Sequence, residues 1–126
     1  MTDAVLILET EPQAELLINE VLSAADMEVY AADTVVSLVR ALQATAFPLV
    51  VIDTAAPGFL LGPSVAMVHE AQPDTAVILT GRHATPAELV EMLRAGCYDF
   101  VGKPFDPAAL AASARAAIER RRRFRD

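Results

Sequence analysis

The sequence lacks tryptophan, contains a single cysteine, Cys97, and has no apolar run long enough to cross a membrane. A single cysteine excludes an internal disulfide and is typical of a reducing compartment, so we expect a cytoplasmic location. The longest continuous apolar runs, Ala4–Leu8 and Leu49–Ile52, have the length of a strand, whereas a membrane helix needs roughly 18–20 residues. The first residues also lack the basic region of a signal peptide. We therefore expect no membrane association.

Positive charge is scarce, with 10 Lys and Arg against 17 Asp and Glu, for a net charge of −7. This balance predicts a domain that does not itself bind nucleic acid. The last eight residues differ, because they contain five arginines and two acids. Their net charge is therefore +3, and the net charge of the rest of the chain is −10. A length of 126 residues suits one domain. We assign residues 1–119 to that domain and residues 120–126 to a basic C-terminal tail or the start of a linker.

Apolar residues make up 54% of the chain and recur as short runs between segments of helical periodicity. Runs of this length, with turn residues around them, are typical of buried strands. The predicted strands are Ala4–Leu8, Glu28–Ala31, Leu49–Ile52, Ala76–Leu79 and Asp99–Gly102.

Capping residues and apolar spacing predict a helix after each strand. Thr10 is the expected N-cap of the first helix, Thr34 can cap the second, and Thr85 starts the fourth as part of a capping box. The third helix is expected from about Pro63 to Ala71. The expected inner faces are Leu17, Val21 and Ala24 in the first helix, Val35, Leu38, Val39 and Leu42 in the second, Leu89, Met92 and Leu93 in the fourth, and Leu110, Ala114, Ala117 and Ile118 in the fifth.

Strands that alternate with helices need crossover connections, which are right-handed. The pattern therefore predicts an α/β fold with a five-stranded parallel sheet and helices on both faces. Ligands of such sheets bind outside the carboxyl ends of the strands. Acids, a hydroxyl and an ammonium gather at those ends, which predicts a site for an anion and a metal ion: Glu9, Thr10, Glu11, Asp53, Thr80 and Lys103.

Four motifs, in order, cover nearly the whole chain: VLILETEP, VVIDTAAPG, VILTG and AGCYDFVGKPF. Together they resemble the receiver domain of response regulators in two-component signalling systems, a family with the CheY-like, flavodoxin-like (βα)5 fold. The resemblance implies a signalling phosphoacceptor that catalyses only its own phosphorylation and dephosphorylation, and is not an enzyme acting on an external metabolite.

The resemblance also implies a role for each matching residue. Asp53 would be the phosphoacceptor, Lys103 would bind the phosphoryl group, and Thr80 would move toward it. Phe100 would change rotamer in concert with Thr80 and alter the surface formed by the fourth helix, fifth strand and fifth helix. The peptide bond between Lys103 and Pro104 is usually cis in this family.

The family uses Mg²⁺, and the resemblance places the ion near Glu9, Asp53 and the backbone carbonyl of Ala55. Receivers usually carry two successive acids after the first strand, whereas this chain has Glu9 followed by Thr10. A threonine cannot supply the missing charge, so we expect weakened Mg²⁺ binding and slower phosphorylation.

The loop after Asp53 also departs from the family pattern, because it carries two leucines and is one residue longer. We expect Phe59, Leu60 and Leu61 to be exposed, either as a partner surface or as local packing.

The implied partners are a histidine kinase or a phosphotransfer protein. An output domain, or a homodimer through the surface of the fourth helix, fifth strand and fifth helix, is a further possibility. An alternative is a pseudo-receiver, a protein-interaction module with the same fold that acts without phosphorylation. A third class is an enzyme on a similar sheet. It is disfavoured because Ala55 replaces the second acid of an Asp-nucleophile phosphatase, and because no glycine-rich phosphate loop follows the first strand.

Overall fold

The computed structural model describes residues 2–125, with side chains through Arg123, and alternates strands with helices throughout. The strands are β1 (Asp3–Leu8), β2 (Met27–Ala31), β3 (Leu49–Asp53), β4 (Ala76–Gly81) and β5 (Asp99–Gly102). The helices are α1 (Pro12–Ala24), α2 (Val35–Ala44), α3 (Leu61–Ala71), α4 (Pro86–Arg94) and α5 (Pro107–Arg125).

The five strands form one parallel sheet in the order β2-β1-β3-β4-β5. The predicted α/β architecture is therefore confirmed. Because the strands are parallel, the residues that follow β1, β3, β4 and β5 lie at one edge of the sheet. The register sets Asp53 directly opposite Thr80 on the neighbouring strand.

Two hydrophobic cores cover the two faces of the sheet, which places the helices on both sides. Successive side chains of a strand point to opposite faces. In β1, Leu6 and Leu8 belong to the core that packs against α2 and α3, whereas Val5 and Ile7 belong to the core that packs against α1 and α5. All four are nearly inaccessible to solvent, as expected for a sheet buried on both faces.

The start of α1 differs from the prediction. Glu11, not Thr10, occupies the N-cap position, and no side chain caps this helix. The buried face of α1 is Ile18 and Leu22, while the predicted Leu17 and Val21 are half-buried and Ala24 is exposed. Thr10 fails to cap the helix because its hydroxyl is hydrogen-bonded elsewhere, as described below.

Helix α4 begins as predicted, with a capping box between Thr85 and Glu88. Its inner face is narrower than predicted. In α4, Met92 is buried, whereas the side chains predicted to lie beside it are exposed: Leu89 is 38% exposed and Leu93 is 62% exposed. The prediction for the two leucines was wrong because α4 packs against β5, the edge strand, and leaves every one of its residues except Met92 exposed.

The fifth helix has the predicted inner face of Leu110, Ala114, Ala117 and Ile118. It continues through Arg125, so the boundary expected after residue 119 falls within helical backbone. Among the described residues, no helix combines the length and apolar character that a membrane span requires.

Candidate functional site

Three charged side chains from distant parts of the sequence meet at the carboxyl edge of the sheet. The Lys103 Nζ lies 2.6 Å from Glu9 Oε2 and 3.2 Å from Asp53 Oδ2. Glu9 follows β1, Asp53 ends β3, and Lys103 follows β5. The side chains are only 2%, 1% and 5% exposed, respectively. The predicted cluster of Glu9, Asp53 and Lys103 therefore exists. Its three side chains are almost entirely buried, although they lie at the ends of strands.

The fold fixes each member of this cluster. Leu49 and Val51 of β3 point into the α1 and α5 core, and Asp53 continues that face beyond the last apolar residue. Lys103 is held by its backbone N–H, which donates to the Gly81 carbonyl at 2.7 Å. The Lys103–Pro104 peptide bond is cis, as expected from the family pattern.

Both carboxylate oxygens of Asp53 accept hydrogen bonds. Thr10 Oγ1 donates to Oδ2 at 2.5 Å, and the Thr10 backbone N–H approaches the same oxygen at 3.3 Å. The Ala55 backbone N–H donates to Oδ1 at 2.9 Å. Thr10 thus stands against the carboxylate at the position where receivers carry their second acid.

The surroundings shift the pKa values of the two carboxyl groups, Asp53 and Glu9, in opposite directions. Burial alone would raise the pKa of Asp53, but hydrogen bonds from Thr10, Ala55 and Lys103 outweigh burial and lower it. The pKa of Glu9 is raised, because burial outweighs the hydrogen bond from Lys103 and the charge of Asp53 adds to the effect. The Asp53 carboxylate is therefore ionised at neutral pH, which is the form that a nucleophile needs.

Lys103 responds to the same two carboxylates. Burial alone would lower the pKa of Lys103, but the hydrogen bonds and charges of Glu9 and Asp53 raise it. The ammonium is therefore charged under ordinary conditions and can act as a cation toward an anion at Asp53.

The two residues that the resemblance assigns to the switch have no side-chain hydrogen bond to the charged cluster among the described residues. Thr80 is fully buried, and its Oγ1 has no hydrogen-bond partner among the described residues. Phe100 is half-buried and lies over Gly81. A Cβ atom at Gly81 would come within 3.3 Å of the Phe100 ring and 2.8 Å of Thr54 Oγ1. A side chain at position 81 would therefore clash with Thr54 Oγ1 and, by a smaller margin, crowd the Phe100 ring.

The oxygen atoms at the site suit a hard cation, but they are few. The described residues contain no group of three or more His, Cys, Asp and Glu side chains that could hold a metal ion. Glu9 and Asp53 are the carboxylates available, and Ala55 is exposed at the turn beside them. Glu9 Oε1 is buried without a hydrogen-bond partner among the described residues, so one carboxylate oxygen is left for a cation.

The sequence analysis missed one cation at this edge. Arg82 follows β4, and its Nη2 lies 2.6 Å from Glu11 Oε1. The other oxygen of Glu11 is 3.4 Å from Lys103 Nζ. Position at a strand end, which singles out Thr80 and Lys103 in the sequence, singles out Arg82 equally.

The loop after Asp53 is less exposed than expected. Leu60 is 63% exposed, as predicted, but Phe59 and Leu61 are half-buried against the core that contains α2 and α3. Phe59 and Leu61 therefore pack locally against the core, and of these three side chains only Leu60 is mostly exposed.

Comparisons with known proteins identify the family to which the sequence is similar. Residues 5–115 match the response regulator receiver domain family. The chain is 34% identical over 119 residues to the C4-dicarboxylate transport transcriptional regulatory protein DctD of Pseudomonas aeruginosa. That match spans 94% of this chain and 26% of DctD, so the chain corresponds to about a quarter of that relative.

Solved structures show the same fold. NtrX from Brucella abortus superposes with a TM-score of 0.88 at 25% identity, covering 99% of this chain and 28% of that chain. The chemotaxis response regulator CheY4 of Vibrio cholerae has a TM-score of 0.83 at 18% identity, covering 93% and 99%. The family match extends over most of the sequence and includes every residue of the buried cluster. The chain belongs to the response regulator receiver domain family of two-component systems, with the CheY-like fold.

Proposed function

We propose that Asp53 accepts a phosphoryl group from the phosphohistidine of a histidine kinase or a phosphotransfer protein. The observation that carries this proposal is the ionised Asp53 carboxylate with the Lys103 ammonium 3.2 Å from Oδ2. In the reaction, a carboxylate oxygen forms a bond to phosphorus while the bond from phosphorus to the donor nitrogen breaks. The histidine leaves with that electron pair, and Lys103 offsets charge on the phosphoryl oxygens.

Access to Asp53 depends on Thr10. The carboxylate is almost fully covered, and Thr10 hydrogen-bonds the oxygen that also faces Lys103. Thr10 is itself an exposed residue, so rotation of its short side chain would remove the hydroxyl hydrogen bond from Oδ2 without disturbing either core. This cover is a second reason, besides the missing charge, to expect slow phosphorylation.

Mg²⁺ is the cofactor that we propose for the site. Glu9, Asp53 and the backbone carbonyl of Ala55 would hold it, and Thr10 would contribute no charge. When bound, the ion would neutralise charge on the transferring phosphoryl group. With two carboxylates available and both shared with Lys103, we propose that binding is weak.

We propose that the output is a change in the surface formed by α4, β5 and α5. The buried hydroxyl of Thr80, which lacks a partner among the described residues, would turn toward the phosphoryl group, and Phe100 would follow. Leu89, Val90 and Leu93 expose apolar area on α4, which suits contact with an output domain or a second copy of the chain.

The proposed setting is a cytoplasmic signalling protein that neither crosses a membrane nor binds nucleic acid through this domain. DctD is a transcriptional regulatory protein, and this chain matches about a quarter of it. By analogy, we propose that the domain controls a separate output module. Its chemistry would be limited to its own phosphorylation and dephosphorylation.

Incubation with acetyl phosphate and Mg²⁺, followed by intact mass, tests the proposal. We expect a gain of one phosphoryl group in the wild type and none in Asp53→Asn. An unchanged wild-type mass, under conditions that label a control receiver, would reject phosphorylation and favour the pseudo-receiver alternative.

A further inference from the structure

An ion pair joins the two loops on either side of β3. Arg82 follows β4, Glu11 precedes α1, and their side chains meet at 2.6 Å. Because β3 lies between β1 and β4 in the sheet, this pair connects the loops that flank Asp53. Glu11 also contacts Lys103 at 3.4 Å through its second oxygen. Arg82 is therefore linked to the phosphoacceptor through three successive charged contacts, from Arg82 to Glu11, from Glu11 to Lys103, and from Lys103 to Asp53.

A phosphoryl group at Asp53 would need more positive charge than Lys103 provides. A phosphorylated side chain carries about −1.5 to −2 at neutral pH. Lys103 supplies one positive charge and already shares it with Glu9 at 2.6 Å. Thr10 replaces an acid that would otherwise help to hold a divalent cation. The site is thus short of positive charge once Asp53 is phosphorylated.

Arg82 can supply that charge at little cost. Its side chain is 74% exposed and that of Glu11 is 39% exposed, and such solvent-exposed pairs contribute little to stability. A guanidinium also binds two phosphate oxygens in a fixed planar geometry. A cavity of about 250 Å³ is lined in part by Arg82, Glu11 and Lys103, so the Arg82 side chain borders open space next to the lysine that contacts Asp53.

We propose that Arg82 is a phosphoryl-binding residue that Glu11 holds while Asp53 is unphosphorylated. As Asp53 attacks the donor phosphorus, Arg82 exchanges the Glu11 carboxylate for the phosphoryl oxygens. Glu11 then keeps its contact with Lys103. This inference rests on the proposed phosphorylation of Asp53 and identifies a second cation for that reaction.

The test compares initial rates of labelling by acetyl phosphate in the full chain, read by intact mass. We expect Arg82→Ala to slow labelling about tenfold, because one charge-assisted contact to the phosphoryl group is lost. Arg82→Lys restores part of the rate, since a single ammonium replaces the planar pair of donors. Arg40→Ala removes an exposed arginine from α2 and serves as the matched control, with no change expected.

Glu11→Gln distinguishes phosphoryl binding from a structural role. If Glu11 holds Arg82 back, this variant labels faster than the wild type, and the gain disappears when Arg82→Ala is added. A bridge that merely stabilises the loops would make both single variants slower, which would overturn the inference.

The remaining outcomes separate the two proposals. A wild type that is labelled at the same rate as Arg82→Ala overturns the role of Arg82 and leaves phosphorylation of Asp53 intact. A wild type that acetyl phosphate cannot label, while a control receiver is labelled, overturns both.

Discussion

Thr10 Oγ1 lies 2.5 Å from Asp53 Oδ2 and donates a hydrogen bond to it. A neutral hydroxyl therefore occupies the position where an acidic side chain would help to hold Mg²⁺. The hydrogen bond also keeps Asp53 ionised, because it favours the carboxylate over the protonated form. Thr10 thus lowers the negative charge available for the proposed metal ion and favours the ionised form of the proposed nucleophile, Asp53.

Thr10→Asp restores the second acid, and we expect it to bind Mg²⁺ at least about tenfold more tightly than the wild type, because a third carboxylate is added. Isothermal titration calorimetry with MgCl₂ measures the difference. Thr2→Asp adds the same charge at an exposed position outside the site and controls for net charge. Equal affinities in wild type and Thr10→Asp would contradict the proposed metal position.

Lys103→Met leaves the carboxylates of Glu9 and Asp53 buried without their cation. We expect a loss of about 3–5 kcal/mol in the free energy of unfolding, which urea titration at neutral pH measures. Adding Asp53→Asn removes one of the two charges, so the double variant loses less than the sum of the single changes. Lys103 is the only lysine in the chain, so Arg40→Met on α2 is the surface control. Simple additivity would show that the three side chains do not act as one cluster.

Gly81→Ala places a Cβ atom 2.8 Å from Thr54 Oγ1 and 3.3 Å from the Phe100 ring. We expect the ring to turn outward, with a cost of about 1 kcal/mol in the free energy of unfolding. Changes in the chemical shifts of the Phe100 aromatic NMR signals, and in their contacts with the backbone at position 81, report the movement. Gly102→Ala is a matched control, because its Cβ would meet the same ring at an ordinary 4.0 Å. If the Phe100 ring does not move in Gly81→Ala, the lack of a side chain at position 81 is not what allows the ring to lie there.

The raised pKa of Glu9 leads us to expect an unusual pH dependence of the free energy of unfolding. Its pKa in the folded protein is raised above the ordinary value of 4.5. As the pH falls toward 4.5, folded Glu9 takes up a proton before unfolded Glu9 does, so this group increasingly favours the folded state. We therefore expect the wild type to gain stability relative to Glu9→Gln between neutral pH and pH 4.5. Urea titration across that range measures the gain.

Glu20→Gln, at an exposed position of α1, controls for the loss of an acid and is expected to show no such trend relative to the wild type. A difference between wild type and Glu9→Gln that stays constant with pH would contradict the raised pKa.

The sequence predicted the sheet well because its inner strands, β1, β3 and β4, are buried on both faces. Runs such as Leu49–Ile52 are continuous and apolar, and the acid that follows marks the end of the strand. The cluster of Glu9, Asp53 and Lys103 was predictable for the same reason, since parallel strands bring their carboxyl ends to one edge. The roles of Thr80 and Phe100 came from the family resemblance and remain predictions.

Other features depended on competition between partners that the sequence does not rank. Thr10 could cap α1 or bind Asp53, and the charged partner prevailed because a hydrogen bond to a carboxylate is stronger than a neutral one. Leu89 and Leu93 fit a helical apolar stripe, but the stripe does not reveal how much sheet surface α4 would cover. The pairing of Arg82 with Glu11 joins residues 71 positions apart, which no local pattern indicates.

The pairing of Asp53 with Thr80 carries a consequence for how this sequence can change in length. Side chains alternate between the two faces of the sheet, so a single inserted residue within β3 would turn Asp53 away from Lys103 and move apolar residues to the wrong core. The exposed turn at Pro57 and Gly58 has no such alternation, and it lies beyond the Ala55 N–H that donates to Asp53. We therefore expect an inserted residue to be tolerated at this turn and to be disruptive within β3.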